Sequence, residues 1–98
     1  MIDFGRIESF DWNSGNLSKS AAKHGVAPAE AEQVFFNEPL LVVRDEKHSG
    51  TEVRFHALGS TIERRLLHVT FTLRDDGRKI RVISARDMHR KERMVYEK

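Results

Sequence analysis

The sequence predicts one α+β domain in the order strand, helix, helix, four strands, helix, with a largely antiparallel sheet. Three observations lead there. Asp76-Gly77 separates two β-rich runs, and both residues tolerate the positive φ of a primed two-residue turn. Gly25 and Pro28 stand three residues apart in the first third of the chain, where one helix would end and another begin. Val53 to Leu58 alternates apolar and polar residues in the same sense as the hairpin, which adds a strand to it.

The first strand is expected over Ile7–Trp12, with Phe10 and Trp12 on one side and Trp12 as a core anchor. Asn13 or Ser14 is placed to cap a helix through Lys23, and Gly25 to end it in a left-handed conformation. Pro28 opens the second helix with Glu30 in its first turn. Val26 and Ala31 have the spacing of a hydrophobic staple, and Ala31, Val34 and Phe35 make its apolar stripe. Leu40–Val43 is an unbroken apolar run and reads as a buried strand. Arg44–Thr51 is the one polar stretch long enough to be a mobile loop, with His48 exposed to solvent.

A two-residue turn at Asp76-Gly77 sets Leu73 against Ile80, Phe71 against Val82 and Val69 against Ser84, with the long apolar side chains on one face. The other face carries His68, Thr70, Thr72 and Arg81, with Ile83 and Ala85 nearer the last helix. A seven-residue connection, Gly59 to Arg65, keeps the faces matched if Leu58 meets Leu66. Arg54 then lies beside Thr70 and His56 beside His68. Arg54 and Arg81 share the polar face on the order of 12 Å apart, within joint reach of a nucleotide chain. Ser84 and Asp87 have the spacing that opens a helix. Met88, Met94 and Val95 are the few apolar residues of that helix, and Arg86, His89, Arg90, Lys91 and Arg93 surround them with positive charge.

A chain of 98 residues is one domain, residues 1–98, able to bury roughly two-thirds of its surface. The absence of cysteine excludes disulfides, thiolate metal sites and a thiol nucleophile. No apolar run approaches membrane-spanning length, and Met1 to Phe10 lacks the pattern of a signal peptide, so a soluble cytoplasmic protein is expected. From Arg64 onward eleven Lys and Arg face five acids. That lopsided charge suits either a polyanion partner or a solvated surface.

FDW-(11)-HGV, AEAEQVFFNEPL, E-x-R-F-x-x-LG and RVISARDM-x-x-KER-x-x-Y, spread over nearly the whole chain, resemble the BrnT family of type II toxin–antitoxin toxins. The resemblance implies a fold similar to the RelE-type ribonuclease toxins and a metal-independent endoribonuclease activity that halts translation, with no cofactor. It also implies an antitoxin of ribbon-helix-helix type, BrnA, that supplies DNA contact, so that DNA is met only through the antitoxin. The ribosome is a further candidate partner. Arg54 matches the arginine of E-x-R-F and Arg86 that of ISAR. Glu92, Arg93 and Tyr96 match ER-x-x-Y, and Lys23 and His24 the family's lysine-histidine-glycine. Many members carry lysine in place of Asn16 and asparagine in place of Ser20; if either position touches RNA, substrate binding is altered here.

RNA cleavage without metal uses the 2′-hydroxyl as nucleophile and needs a base, an acid and a charge stabiliser. Arg54 and Arg86 are the candidates for the last role, the alternative being salt bridges, for instance with Glu92, itself a candidate for the catalytic group. His56 and His68 are the acid–base candidates, the alternative being satisfied sheet residues. They lack a third ligand at metal spacing. Lys23, His24, Arg81, Arg90, Arg93 and Tyr96 are candidates for holding RNA, although His24 also fits a helix-capping role and Tyr96 also fits core packing. If the last helix covers the two histidines, they fail as acid and base. Two functions follow: a ribonuclease toxin, or a non-catalytic interaction module that binds an antitoxin and assists autoregulation.

Overall fold

The computed structural model describes residues 2–48 and 50–98; Met1 and Ser49, the latter inside the expected polar loop, lie outside the described residues. The elements are β1 (Ser9–Phe10), α1 (Lys19–His24), α2 (Pro28–Val34), β2 (Leu41–Asp45), β3 (Arg54–Ser60), β4 (Leu66–Arg74), β5 (Lys79–Asp87) and α3 (Arg90–Tyr96), after a short 3-10 turn at Phe4–Arg6. They form the expected α+β order. One sheet runs β1-β5-β4-β3-β2, antiparallel except where β1 pairs parallel with β5.

The core lies between α2 and one face of the sheet. Val26, Ala31 and Val34 meet Ala57, Leu67, Val69, Phe71, Ile80, Val82 and Ala85, all nearly or wholly buried. The Phe35 ring stands edge-on to Phe71 at 5.0 Å between centroids. α2 can come this close because residue 59 is glycine: a Cβ there would lie 2.6 Å from Val34 Cγ1. Glu30 Oε1 accepts from the Ala27 N–H at 3.0 Å, so α2 is capped from within its first turn despite the alanine before it. Gly25 has φ +67° and ends α1 as expected.

The hairpin turn is as expected: Asp76 and Gly77 have φ +54° and +83°, Leu73 meets Ile80, and Phe71 meets Val82. Beyond that point a β-bulge intervenes. Thr70 pairs with Ser84 and Val69 with Ala85, so Ile83 is the extra residue. The bulge turns Ala85 into the core instead of the polar face and sets Arg86 opposite His68.

Other expectations need correction. β1 is two residues long, and Trp12 leaves the strand to donate its indole N–H to Glu32 Oε2 at 2.6 Å, partly buried against the core. α1 begins at Lys19, not near Asn13. The Asn13 side chain takes the Gly15 N–H at 2.8 Å, a local bond that competes with helix. β2 is an edge strand, not a buried one: Val42 packs on the core while Leu41 and Val43 face outward, Val43 being 63% exposed. β3 runs two residues further than expected, because Thr61 and Arg65 close a five-residue connection with Arg64 at φ +67°. Arg54 therefore meets Thr72 and His56 meets Thr70, a shift of two that leaves every side chain on its expected face. Ser84 and Asp87 open no helix; β5 continues to Asp87, and the α3 start is held by Glu92 Oε1 accepting from the His89 N–H at 2.8 Å. Met88 is buried ahead of α3, Met94 and Val95 are exposed, and Tyr96 anchors the helix by donating its hydroxyl to the Pro39 carbonyl at 2.6 Å.

Candidate functional site

The face of the sheet opposite the core is built in rows across β2 to β5. Asp45, Arg54, Thr72 and Arg81 form one row; Val43, His56, Thr70 and Ser84 the next; Leu41, Leu58, His68 and Arg86 the third. Alternation along β2, β3 and β4 puts their residues on one face, and on β5 the bulge at Ile83 brings Ser84 and Arg86 to the face of Arg81.

A chain of polar contacts crosses the rows. His56 Nε2 is 2.8 Å from Asp45 Oδ2, and His56 Nδ1 is 2.9 Å from His68 Nε2 and 3.0 Å from Thr70 Oγ1. His68 Nδ1 stands 3.3 Å from Glu92 Oε2, near enough for an ionic contact but outside hydrogen-bond geometry. Both Glu92 oxygens accept from Arg86, at 2.8 and 2.9 Å. At the other end His48 Nδ1 lies 3.2 Å from Asp45 Oδ2, and Asp45 Oδ1 accepts from the backbone N–H of Lys47 and His48 at 3.1 and 2.9 Å.

Electrostatics follow from these contacts. The Arg86 hydrogen bonds hold the Glu92 carboxyl down to about 2, and the His48 backbone N–H and His56 hold Asp45 down to about 2. Burial, with the Arg86 guanidinium behind it, lowers His68 to about 4. α3 lies over this histidine, whose side chain is 13% exposed; that of His56 is 30% exposed and that of His48 is 65% exposed. Access to the face therefore runs through His48 and His56.

Arg54 lies on the first row, on the same face as the histidine pair. Arg86 and Glu92 occupy each other, which is the salt-bridge alternative weighed from the sequence. Arg81 is held by Asn13 Oδ1 at 3.2 Å and Asp11 at 3.5 Å and reaches the first row. Arg90 and Arg93 are exposed on α3. Tyr96 is 9% exposed and hydrogen-bonded, so its ring is packed and not offered for stacking. Lys23 is exposed at the end of α1 and His24 lies by Arg65, at the β5 edge and not among the side chains that meet on the polar face. Asn16 is buried and Ser20 half-buried, and both side chains bond backbone groups: Asn16 Nδ2 donates to the carbonyls of Asp11 and Val82 at 3.0 and 2.9 Å, and Ser20 Oγ accepts from the Ala85 N–H at 2.8 Å, closing the edge of β5. Among the described residues no three His, Asp or Glu side chains group to hold a metal ion.

Sequence reasoning missed Asp45 and His48. Their spacing, with an aspartate taking the N–H groups two and three residues on, is the signature of a side-chain-closed turn, and it was readable in the polar loop.

The fold is a small α+β domain that sets groups able to exchange protons, histidines and carboxylates, on one sheet face with arginines able to bind an anion. Comparison with known families is consistent with that class. The chain belongs to the BrnT family, whose model, described as the ribonuclease toxin BrnT of a type II toxin–antitoxin system, matches residues 12–92. The matched segment holds the whole contact chain from Asp45 to Glu92 and leaves out Arg93 and Tyr96. No curated protein matches the chain. Membership implies RNA as the substrate class and an antitoxin as partner. No helix among the described residues is long and apolar enough to cross a membrane.

Proposed function

We propose that the protein is a metal-independent endoribonuclease of RelE-like fold that cuts RNA on the polar sheet face and so inhibits translation, and that a ribbon-helix-helix antitoxin silences it. One observation carries the reading: acid–base groups joined in an unbroken chain of contacts share a face with Arg54. The Arg54 guanidinium, able to hold two oxygens at once, suits the negative charge that develops on the phosphorane. The histidines of the chain are the groups suited to take the proton that leaves the 2′-hydroxyl, and the carboxylates beside them fix their rings. Arg81, Arg90 and Arg93 extend positive charge along the path of the strand.

The test is expression of the chain alone, beside Arg54→Ala and the double variant His56→Ala, His68→Ala at matched protein levels. Growth arrest with RNA loss that Arg54→Ala abolishes supports the reading. Cleavage by purified protein in excess chelator tests metal independence, a cell-free translation assay tests the consequence, and the sequence of the protein that co-purifies tests the antitoxin type.

A non-catalytic interaction module is the second reading. It is favoured by the aliphatic trough of about 580 Å³ between β2 and α3, where Leu41, Val43 and Val95 are exposed as a protein partner would need. Normal growth and intact RNA with folded protein would select it.

A further inference from the structure

We propose that His48 is the general base of this reaction, and that the cleft it borders, between the loop after β2 and the hairpin end of β4 and β5, receives the scissile phosphate. The proposal rests on the ribonuclease reading above and names the group that starts the chemistry. The cleft measures about 360 Å³ and is lined by His48, Arg54, Thr72, Arg74 and Arg81, with Glu52 as the lining carboxylate. Arg74 holds both oxygens of Glu52, at 2.8 and 2.9 Å, and Arg54 and Arg81 are the further guanidinium groups of the lining. Arg81 Nη1, buried 3.5 Å from Asp11, completes no hydrogen bond among the described residues. A polar cleft of this size lined by guanidinium groups matches one phosphodiester and its ribose.

Like the other histidines of the face, His48 directs one ring nitrogen at a carboxylate, and it differs from them in its largely exposed ring. The Asp45 carboxylate fixes the ring proton on Nδ1, which leaves Nε2 as the proton acceptor. Both ring nitrogens of His56, in contrast, are already engaged by Asp45, Thr70 and His68. Its place is behind Asp45. Together with the two backbone N–H groups, it holds that carboxylate still, and His68, Glu92 and Arg86 hold His56. In this arrangement His48 Nε2 takes the 2′-hydroxyl proton, the 2′-oxygen bonds to phosphorus and the bond to the 5′-oxygen breaks. The 5′-oxygen takes a proton from water and His48 later returns its own to water, so the exchange needs no co-reactant. The products are a 2′,3′-cyclic phosphate and a 5′-hydroxyl.

The experiment is single-turnover cleavage of a labelled RNA oligonucleotide by wild type, His48→Ala, Asp45→Asn and Arg64→Gln, the last an exposed loop control. Affinity is read in parallel with the all-2′-deoxy oligonucleotide, which lacks the nucleophile. His48→Ala should lower the cleavage rate about 10²- to 10⁴-fold, leave deoxy-oligonucleotide affinity within about threefold, abolish the acid limb of the pH–rate profile, and regain rate with added imidazole. Asp45→Asn keeps an oxygen for the two N–H groups, and should lower the rate less and displace that limb, with Asp45→Glu restoring part of it. Arg64→Gln should be unchanged. His48→Ala cleaving within threefold of wild type overturns the assignment alone, and so does a rate loss fully matched by lost affinity. Folded wild-type protein that cleaves no RNA overturns the ribonuclease reading, and with it the role of His48.

Discussion

Nε2 of His68 lies 2.9 Å from Nδ1 of His56, and each ring turns its other nitrogen to a carboxylate. Across that contact one nitrogen donates and the other accepts, so the two rings share a single hydrogen there. NMR of isotope-labelled protein should find a nitrogen–nitrogen coupling through that hydrogen bond. Folded protein without the coupling would refute the contact.

The same contacts fix how stability depends on pH. Burial lowers His68 from its ordinary value of 6.5 to about 4, so between those values the unfolded chain binds more protons than the native one. Stability is complete above pH 6.5 and falls as pH drops toward 4, by about 3 kcal/mol at most. Glu92 and Asp45 both sit at about 2 in the fold, below ordinary values of 4.5 and 3.8. Their contributions are full above those ordinary values and are lost as pH falls to about 2. Urea denaturation from pH 8 to 3 should show the first loss beginning near 6.5. His68→Gln should remove that first stage and keep the second.

Parity made much of this legible in advance. A register slip of two along β3 left Arg54, His56 and Leu58 on the polar face, so the rows assembled although the expected partners were wrong. What alternation cannot report is an inserted residue. Ile83 bulges out, and with it Ala85 moves to the core and Arg86 comes opposite His68, which is why the contact of His68 with the Arg86–Glu92 pair was not foreseen. The apolar run at Leu40–Val43 reads the same for a central strand and for an edge strand with an exposed aliphatic side. Only the sheet order distinguishes them.

Arg86 and Glu92 form a bidentate pair about a quarter exposed, which also caps α3 through the His89 N–H. Glu92→Gln keeps an acceptor for the cap and removes the charge, and should cost about 1–3 kcal/mol by chemical denaturation. A double-mutant cycle with Arg86→Gln should return a coupling of about 1–2 kcal/mol. Cleavage per folded molecule should fall much less than in Arg54→Ala; an equal fall would place Glu92 in the chemistry itself.

Asn16 joins three backbone groups: it accepts from the Asn13 N–H at 2.8 Å and donates to the Asp11 and Val82 carbonyls. It is 6% exposed, so Asn16→Ala strands acceptors where water cannot replace the amide. The expected loss is about 2–3 kcal/mol by thermal or chemical denaturation, with RNA cleavage per folded molecule unchanged. A variant as stable as wild type but weaker on RNA would return Asn16 to the binding surface.

Gly59 reports on the contact that sets α2 against the sheet. Its φ lies outside the positive region, so alanine meets no backbone penalty there, and the whole effect comes from the added methyl against Val34 Cγ1 and the Val34 carbonyl, which it would approach to 2.6 and 3.3 Å. Val34 is fully buried, so neither atom can yield without moving α2 from the sheet. Gly59→Ala should therefore destabilise by about 1–3 kcal/mol. Val34→Ala removes the obstructing methyl and should be costly alone, since it leaves a void in the core. Combined, the two changes should cost less than their sum, because the new methyl enters the space the old one leaves. Strict additivity in the denaturation midpoints would mean that α2 does not rest on β3 at this point.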